Sequence, residues 1–141
     1  VAGDPALLRW PAPTGVAATS PRDGLWRHTC FEAFVAPPAA ADAGYVEYNF
    51  APSGAWACYR FDGYRAGMRP EPCAVPPRIV VLPGEGVTAV EVAAPWPGVD
   101  PAPSAGPDRG GAWRAGRSDG SRQARLGLTA VLEAADGSLS Y

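Results

Sequence analysis

Residues 25–65 read LWRHTCFEAFVAPPAAADAGYVEYNFAPSGAWACYRFDGYR, and this stretch decides the fold. It carries all four phenylalanines, the only histidine, two of the three cysteines and two of the five tryptophans. Leu25 to Val35 has no helical period, and its aromatic and β-branched residues suit a strand. Side chains alternate across a strand. One face would present Trp26, His28, Cys30, Glu32 and Phe34, and the other Thr29, Phe31, Ala33 and Val35. The second set is an ordinary core face, whereas the first lines up an indole, an imidazole, a thiol and a carboxylate. Pro37-Pro38 ends the strand, because proline removes a ladder donor. Tyr45 to Phe50 alternates again, Ala51-Pro52-Ser53-Gly54 is a turn signal, and Ala55 to Asp62 returns. With those four residues as the hairpin loop, Phe50 faces Ala55, Asn49 faces Trp56 and Glu47 faces Cys58. Glu47, Asn49, Trp56, Cys58 and Arg60 then share one face. Val46, Tyr48, Phe50, Ala57, Tyr59 and Phe61 form the other, which is the core.

The flanking sequence supports the same class. Leu7 to Trp10 is a candidate short strand. Arg78–Leu82 (RIVVL) and Val87–Ala93 form a second hairpin across Pro83–Gly86. Ala124–Glu133 is a long strand, and Asp136-Gly137 turns into a further one at Leu139–Tyr141. Residues 95–123 read as a long irregular insertion holding Trp113. Glycine and proline make up 34 of the 141 residues, a share near the low-complexity range of about 25–30%. Many short strands with such connections predict one all-β domain over residues 1–141, an antiparallel β-sandwich. Leu139–Tyr141 stops mid-strand, so the domain is expected to be truncated at both ends.

The formal net charge is −2, and all 12 basic residues are arginine. No basic stripe is present to hold a phosphate backbone, which argues against nucleic acid. No apolar run approaches a membrane span. Three cysteines without a CxxC or zinc-ribbon spacing argue against a disulfide framework and favour a reducing, cytoplasmic setting.

Trp26, His28, Glu32, Glu47, Asn49, Trp56 and Arg60 are the candidate ligand-binding residues. A sugar offers an apolar ring face to an indole, and hydroxyls to carboxylate, amide and guanidinium groups. Competing readings of the same residues are a Glu–Arg pair on a solvent-facing sheet, with Arg60 or Arg65 joined to Glu47 or Asp62, and His28 paired with Glu32. His28 and Met68 could ligate haem b, though Met68 also suits gap-filling packing. A zinc site from His28, Cys30 and Cys58 lacks a fourth ligand. A Cys30 nucleophile with His28 as base lacks an oxyanion hole. Asp62-Gly63 reads as a turn with positive φ at the glycine.

Three blocks, LWRHTCFEAF (25–34), GYVEYNFAPSGAWACYRFDGYRAGM (44–68) and LGLTAVLEAADGSLSY (126–141), together resemble the bacterial DOMON-like domain family, which is related to family 9 carbohydrate-binding modules. The resemblance implies a jelly-roll-like β-sandwich that binds a small ligand on one sheet face, a sugar or b-type haem, and performs no chemistry. In the sugar-binding relatives a tryptophan and a glutamate six residues later hold the sugar. Trp26 and Glu32 have that spacing. The second stacking tryptophan of those relatives, late in their chains, has no counterpart before Tyr141.

Overall fold

The computed structural model describes residues 7–10, 15–16, 19–36, 44–84, 87–95 and 124–141. Within them the protein is all-β, as the alternation predicts. The strands are β1 (Gly15–Val16), β2 (Ser20–Pro21), β3 (Cys30–Ala36), β4 (Tyr45–Phe50), β5 (Ala55–Phe61), β6 (Arg69–Pro70), β7 (Arg78–Gly84), β8 (Val87–Ala93), β9 (Arg125–Glu133) and β10 (Leu139–Ser140). The large sheet has the order β10-β9-β3-β4-β5-β2, with β6 also paired to β5. The small sheet has the order β1-β7-β8. All pairings are antiparallel except β2 with β5. Of the insertion expected over residues 95–123, all but Pro95, and so Trp113, lies outside the described residues.

Two expectations fail here, and both move candidate site residues. The first is the start of the central strand. Leu25–Arg27 is a 3-10 turn, entered through Gly24 at φ +74°, and the ladder begins only at Cys30. Arg27 N donates to Gly24 O, and His28 N donates to Leu25 O. Burial overrides strand propensity at this point: Leu25 is 4% exposed and packs with Cys30, Ala55 and Val131. Trp26 therefore does not belong to the same extended segment as Glu32.

The second is the hairpin register. Phe50 pairs with Trp56, not with Ala55. Ala51 N donates to Ala55 O and Gly54 N to Ala51 O, so the loop is Pro52-Ser53-Gly54, closed by Gly54 at φ +90°. A three-residue loop ending in a left-handed residue is a favoured hairpin connection. A slip of one residue turns every side chain of a strand over. Trp56, Cys58 and Arg60 thus join Val46, Tyr48 and Phe50, while Ala57, Tyr59 and Phe61 join Glu47 and Asn49.

Each face of the large sheet has its own cluster. On one, Val46, Tyr48, Phe50, Trp56 and Cys58 pack with Ile79, Val90 and Val92 of the small sheet, so the two sheets pack face to face. On the other, Leu25, Cys30, Ala51, Ala55, Ala57, Tyr59, Phe61 and Val131 cluster beneath the 3-10 turn, with Trp26 and Tyr45 against them.

Candidate functional site

The second of these faces carries the polar groups. β9, β3 and β4 place Thr129, Glu32 and Asn49 in one cross-strand row. The next row holds Gly127, Phe34, Glu47 and Tyr59. Glu32 and Glu47 are diagonal neighbours, a relation that sets side chains about 7 Å apart. Thr129 Oγ1 donates to Glu32 Oε2 (2.6 Å), and Asn49 Nδ2 donates to Glu47 Oε1 (2.8 Å). Each carboxylate is therefore held by a neutral donor. Burial pushes the Glu47 carboxyl above its ordinary range against the Asn49 bond, and the Glu32 charge adds to the rise. Phe34 lies 6.0 Å from the Tyr45 ring, which stacks on Phe61 at 4.5 Å. Trp26 stands edge-on to Tyr59 at 5.5 Å. A half-exposed aromatic rim thus borders two carboxylates.

Of the seven candidate residues, Glu32 and Glu47 come together as expected. Trp26 reaches the same side from the 3-10 turn rather than from the strand. Asn49 is on the face but fully buried; its amide orients Glu47, while its Oδ1 accepts from Cys30 Sγ at 3.6 Å. Three others are elsewhere. Trp56 is 7% exposed between the sheets. Arg60 is on that opposite face, where Nε and Nη2 bind Glu71 at 2.8 and 2.6 Å, so neither Glu47 nor Asp62 is its partner. Asp62 instead takes Arg69 at 2.6 Å. His28 leaves Glu32 alone: its Nδ1 meets Glu133 Oε2 at 2.9 Å, and Arg9 Nη1 meets Glu133 Oε1 at 3.1 Å. The His28 bond, with Arg9 behind it, holds the Glu133 carboxyl below its ordinary range.

The minor readings are also rearranged. Met68 is 51% exposed and fills no gap. It follows the Phe61 end of β5, whereas His28 precedes the Cys30 end of β3. Six residues of strand separate those ends, about 20 Å at the usual rise, too far for both to ligate one iron. Cys30 and Cys58 lie on opposite faces, so they cannot share a metal with His28. Burial, followed by the charges of Glu32 and Glu47, pushes the Cys30 thiol up to about 12, so it is no thiolate nucleophile at neutral pH. The positive φ near Asp62 belongs to Arg65 and Gly67, not Gly63. Among the described residues no group of three or more His, Cys, Asp or Glu could hold a metal ion, and no helix is long and apolar enough to cross a membrane.

Sequence reasoning missed an apolar cavity of about 400 Å³ between the sheets, where Phe31, Val35, Leu126 and Leu128 of β3 and β9 meet Val90 and Val92 of β8. Leu126 and Leu128 are 56% and 71% exposed. The alternation of β9 contains the signal, because Leu126, Leu128, Ala130 and Leu132 form an apolar stripe. The chain matches no protein-family model, no curated protein and no solved structure.

Proposed function

We propose that the protein is a small-ligand-binding module without chemistry of its own, and that it takes a saccharide on the Glu32–Glu47 face. One observation carries this: two carboxylates on neighbouring strands, each steadied by a neutral donor, beside the rings of Phe34, Tyr45 and Trp26. Carboxylate oxygens accept hydroxyl protons strongly, and a sugar ring face covers aromatic carbon. Both carboxylates project from the same sheet face, so they hold a sugar from one side. Hydrolysis of a glycosidic bond needs an acid and a base flanking it. The sequence resemblance to DOMON-like and family 9 carbohydrate-binding modules supports this reading.

The test is titration of the ¹⁵N-labelled protein with neutral mono- and oligosaccharides. Amide shifts are expected at Glu32, Phe34, Glu47 and Thr129. Glu32→Gln should weaken affinity about 10-fold or more, the worth of one charged hydrogen bond. Absence of shifts at those amides with every sugar at millimolar concentration would overturn the reading.

The cavity between the sheets favours a second reading, an apolar small molecule held there. Its volume lies in the usual range of about 300–1,000 Å³ for ligand pockets. Displaceable binding of an apolar fluorophore, lost in Leu128→Asp, would support it, and binding unaffected by that change would not.

A further inference from the structure

We propose that Cys58 and Cys73 form a reversible disulfide that fastens the crossover between the two sheets to β5 of the large one. All three cysteines are free thiols in this structure. Cys58 lies on β5, directly across from Tyr48 on β4, and is 5% exposed. The ladder between β5 and β6 continues one step beyond β6, because Glu71 N donates to Cys58 O at 2.8 Å. Cys73 follows two residues later. Its Sγ donates to Tyr48 Oη at 3.6 Å and lies 3.8 Å from Glu71 O. Tyr48 thus links the two cysteines: it pairs with Cys58 across the ladder and takes the Cys73 thiol on its hydroxyl. Cys73 packs against the cluster that contains Cys58, Tyr48 and Ile79. The bidentate Arg60–Glu71 pair pins the chain between them.

The two sulfurs differ in access. Cys73 is half-buried and Cys58 is sealed. Cys30 is on the other face with its Sγ on Asn49, and reaches neither. This asymmetry sets the order of events with a small disulfide such as oxidised glutathione. The Cys73 thiolate, its proton lost to solvent, attacks one glutathione sulfur, and the other leaves as a thiolate. The Cys58 thiol then loses its proton and attacks Cys73 Sγ, expelling the second glutathione. Two protein thiols become one disulfide, and one small disulfide becomes two small thiols. Burial, with the adjacent Cys73 thiol, holds Cys58 well above the ordinary thiol range, so the second attack is the slower one and quickens as pH rises. Residues 71–77 lead from β6 in the large sheet to β7 in the small one, so the bond would tie that crossover to the large sheet.

The experiment treats reduced, folded protein with oxidised glutathione, then counts thiols after denaturation. One of the three is expected to remain. Chymotryptic cleavage after Trp56 and Tyr59 separates Cys58 from Cys30 and should recover Cys58 joined to Cys73. Changing Cys58 empties a core position, so the control is Cys73→Ala at the half-buried site, which should keep both its remaining thiols. Retention of all three thiols, arrest at a single glutathione adduct, or a bond mapped to Cys30 would each overturn the proposal.

Discussion

Replacing Trp56 tests the register on which the assignment of both faces rests. The indole is 7% exposed, in the cluster with Val46, Phe50, Cys58 and Ile79. An aromatic side chain buries about 150–250 Å², which at about 25 cal/mol/Å² is worth about 4–6 kcal/mol as an upper bound. Trp56→Ala should therefore cost about 3–5 kcal/mol, in line with large-to-small core changes. That is a large share of the about 5–15 kcal/mol typical of a domain. Trp56→Phe behaves differently. Trp56 Nε1 is buried without a hydrogen-bond partner among the described residues, and an orphaned donor costs about 1–3 kcal/mol. Phenylalanine removes that donor while giving up the equivalent of about two methylenes, or about 1.6 kcal/mol. The two changes offset, so Trp56→Phe should lie within about 1 kcal/mol of the parent. Urea unfolding followed by far-ultraviolet circular dichroism measures both without relying on the indole. A Trp56→Ala variant within about 0.5 kcal/mol of the parent, as for surface changes, would refute the register. A Trp56→Phe variant as unstable as the alanine variant would refute the orphaned donor.

Arg60→Ala should cost about 1–2 kcal/mol by stranding the partly buried Glu71, while leaving sugar titrations unchanged; weakened binding would return Arg60 to the site. Gly44→Ala should destabilise by about 1–3 kcal/mol, because its Cβ would run into the Phe61 backbone carbonyl; a neutral result in thermal melts would dispute that approach. Glu47 and Glu71 should pull the pH profile of stability in opposite directions. The Glu47 carboxyl is raised, by burial first, so its contribution is full below its unfolded value of 4.5 and is lost as pH rises through its folded value. Glu71 is lowered by its Arg60 bond, so its contribution is full above 4.5 and is lost as pH falls through its folded value. Melting temperatures from about pH 3 to pH 8 should show Glu47→Gln removing the decline on the alkaline side and Glu71→Gln blunting the decline on the acid side; unchanged profiles would contradict both shifts.

The strands themselves were legible because alternation and turn residues act locally. Tyr45–Phe50 appears with its expected bounds, Val87–Ala93 likewise, and Glu32 faces the same side as Glu47. The register of β5 was not legible. Both alternations of AWACYRF, Ala55-Ala57-Tyr59-Phe61 and Trp56-Cys58-Arg60, are mostly apolar, and Gly54 closes a three-residue loop as readily as a four-residue one. Only the small sheet decides between them, since Ile79 and Val92 need a partner as large as Trp56. The 3-10 turn was hidden for a related reason. Leu25 and Trp26 suit a strand by propensity, yet burial against Tyr59 and Val131 holds them above the sheet. His28 could not be assigned to Glu133, because a contact spanning 105 residues leaves no trace in local spacing.

The position of β9 has a kinetic consequence. It lies beside β3 with a register of seven pairs, Cys30 with Val131 through Ala36 with Arg125, although roughly ninety residues separate the two strands. The β4–β5 hairpin closes a loop of three and can form early, whereas the β3–β9 ladder must first close a very long loop. Chains dominated by such distant pairings fold in milliseconds to seconds. During synthesis β3 keeps a bare flank until the ribosome has released Glu133, so the nascent chain is most vulnerable to intermolecular strand exchange in that interval.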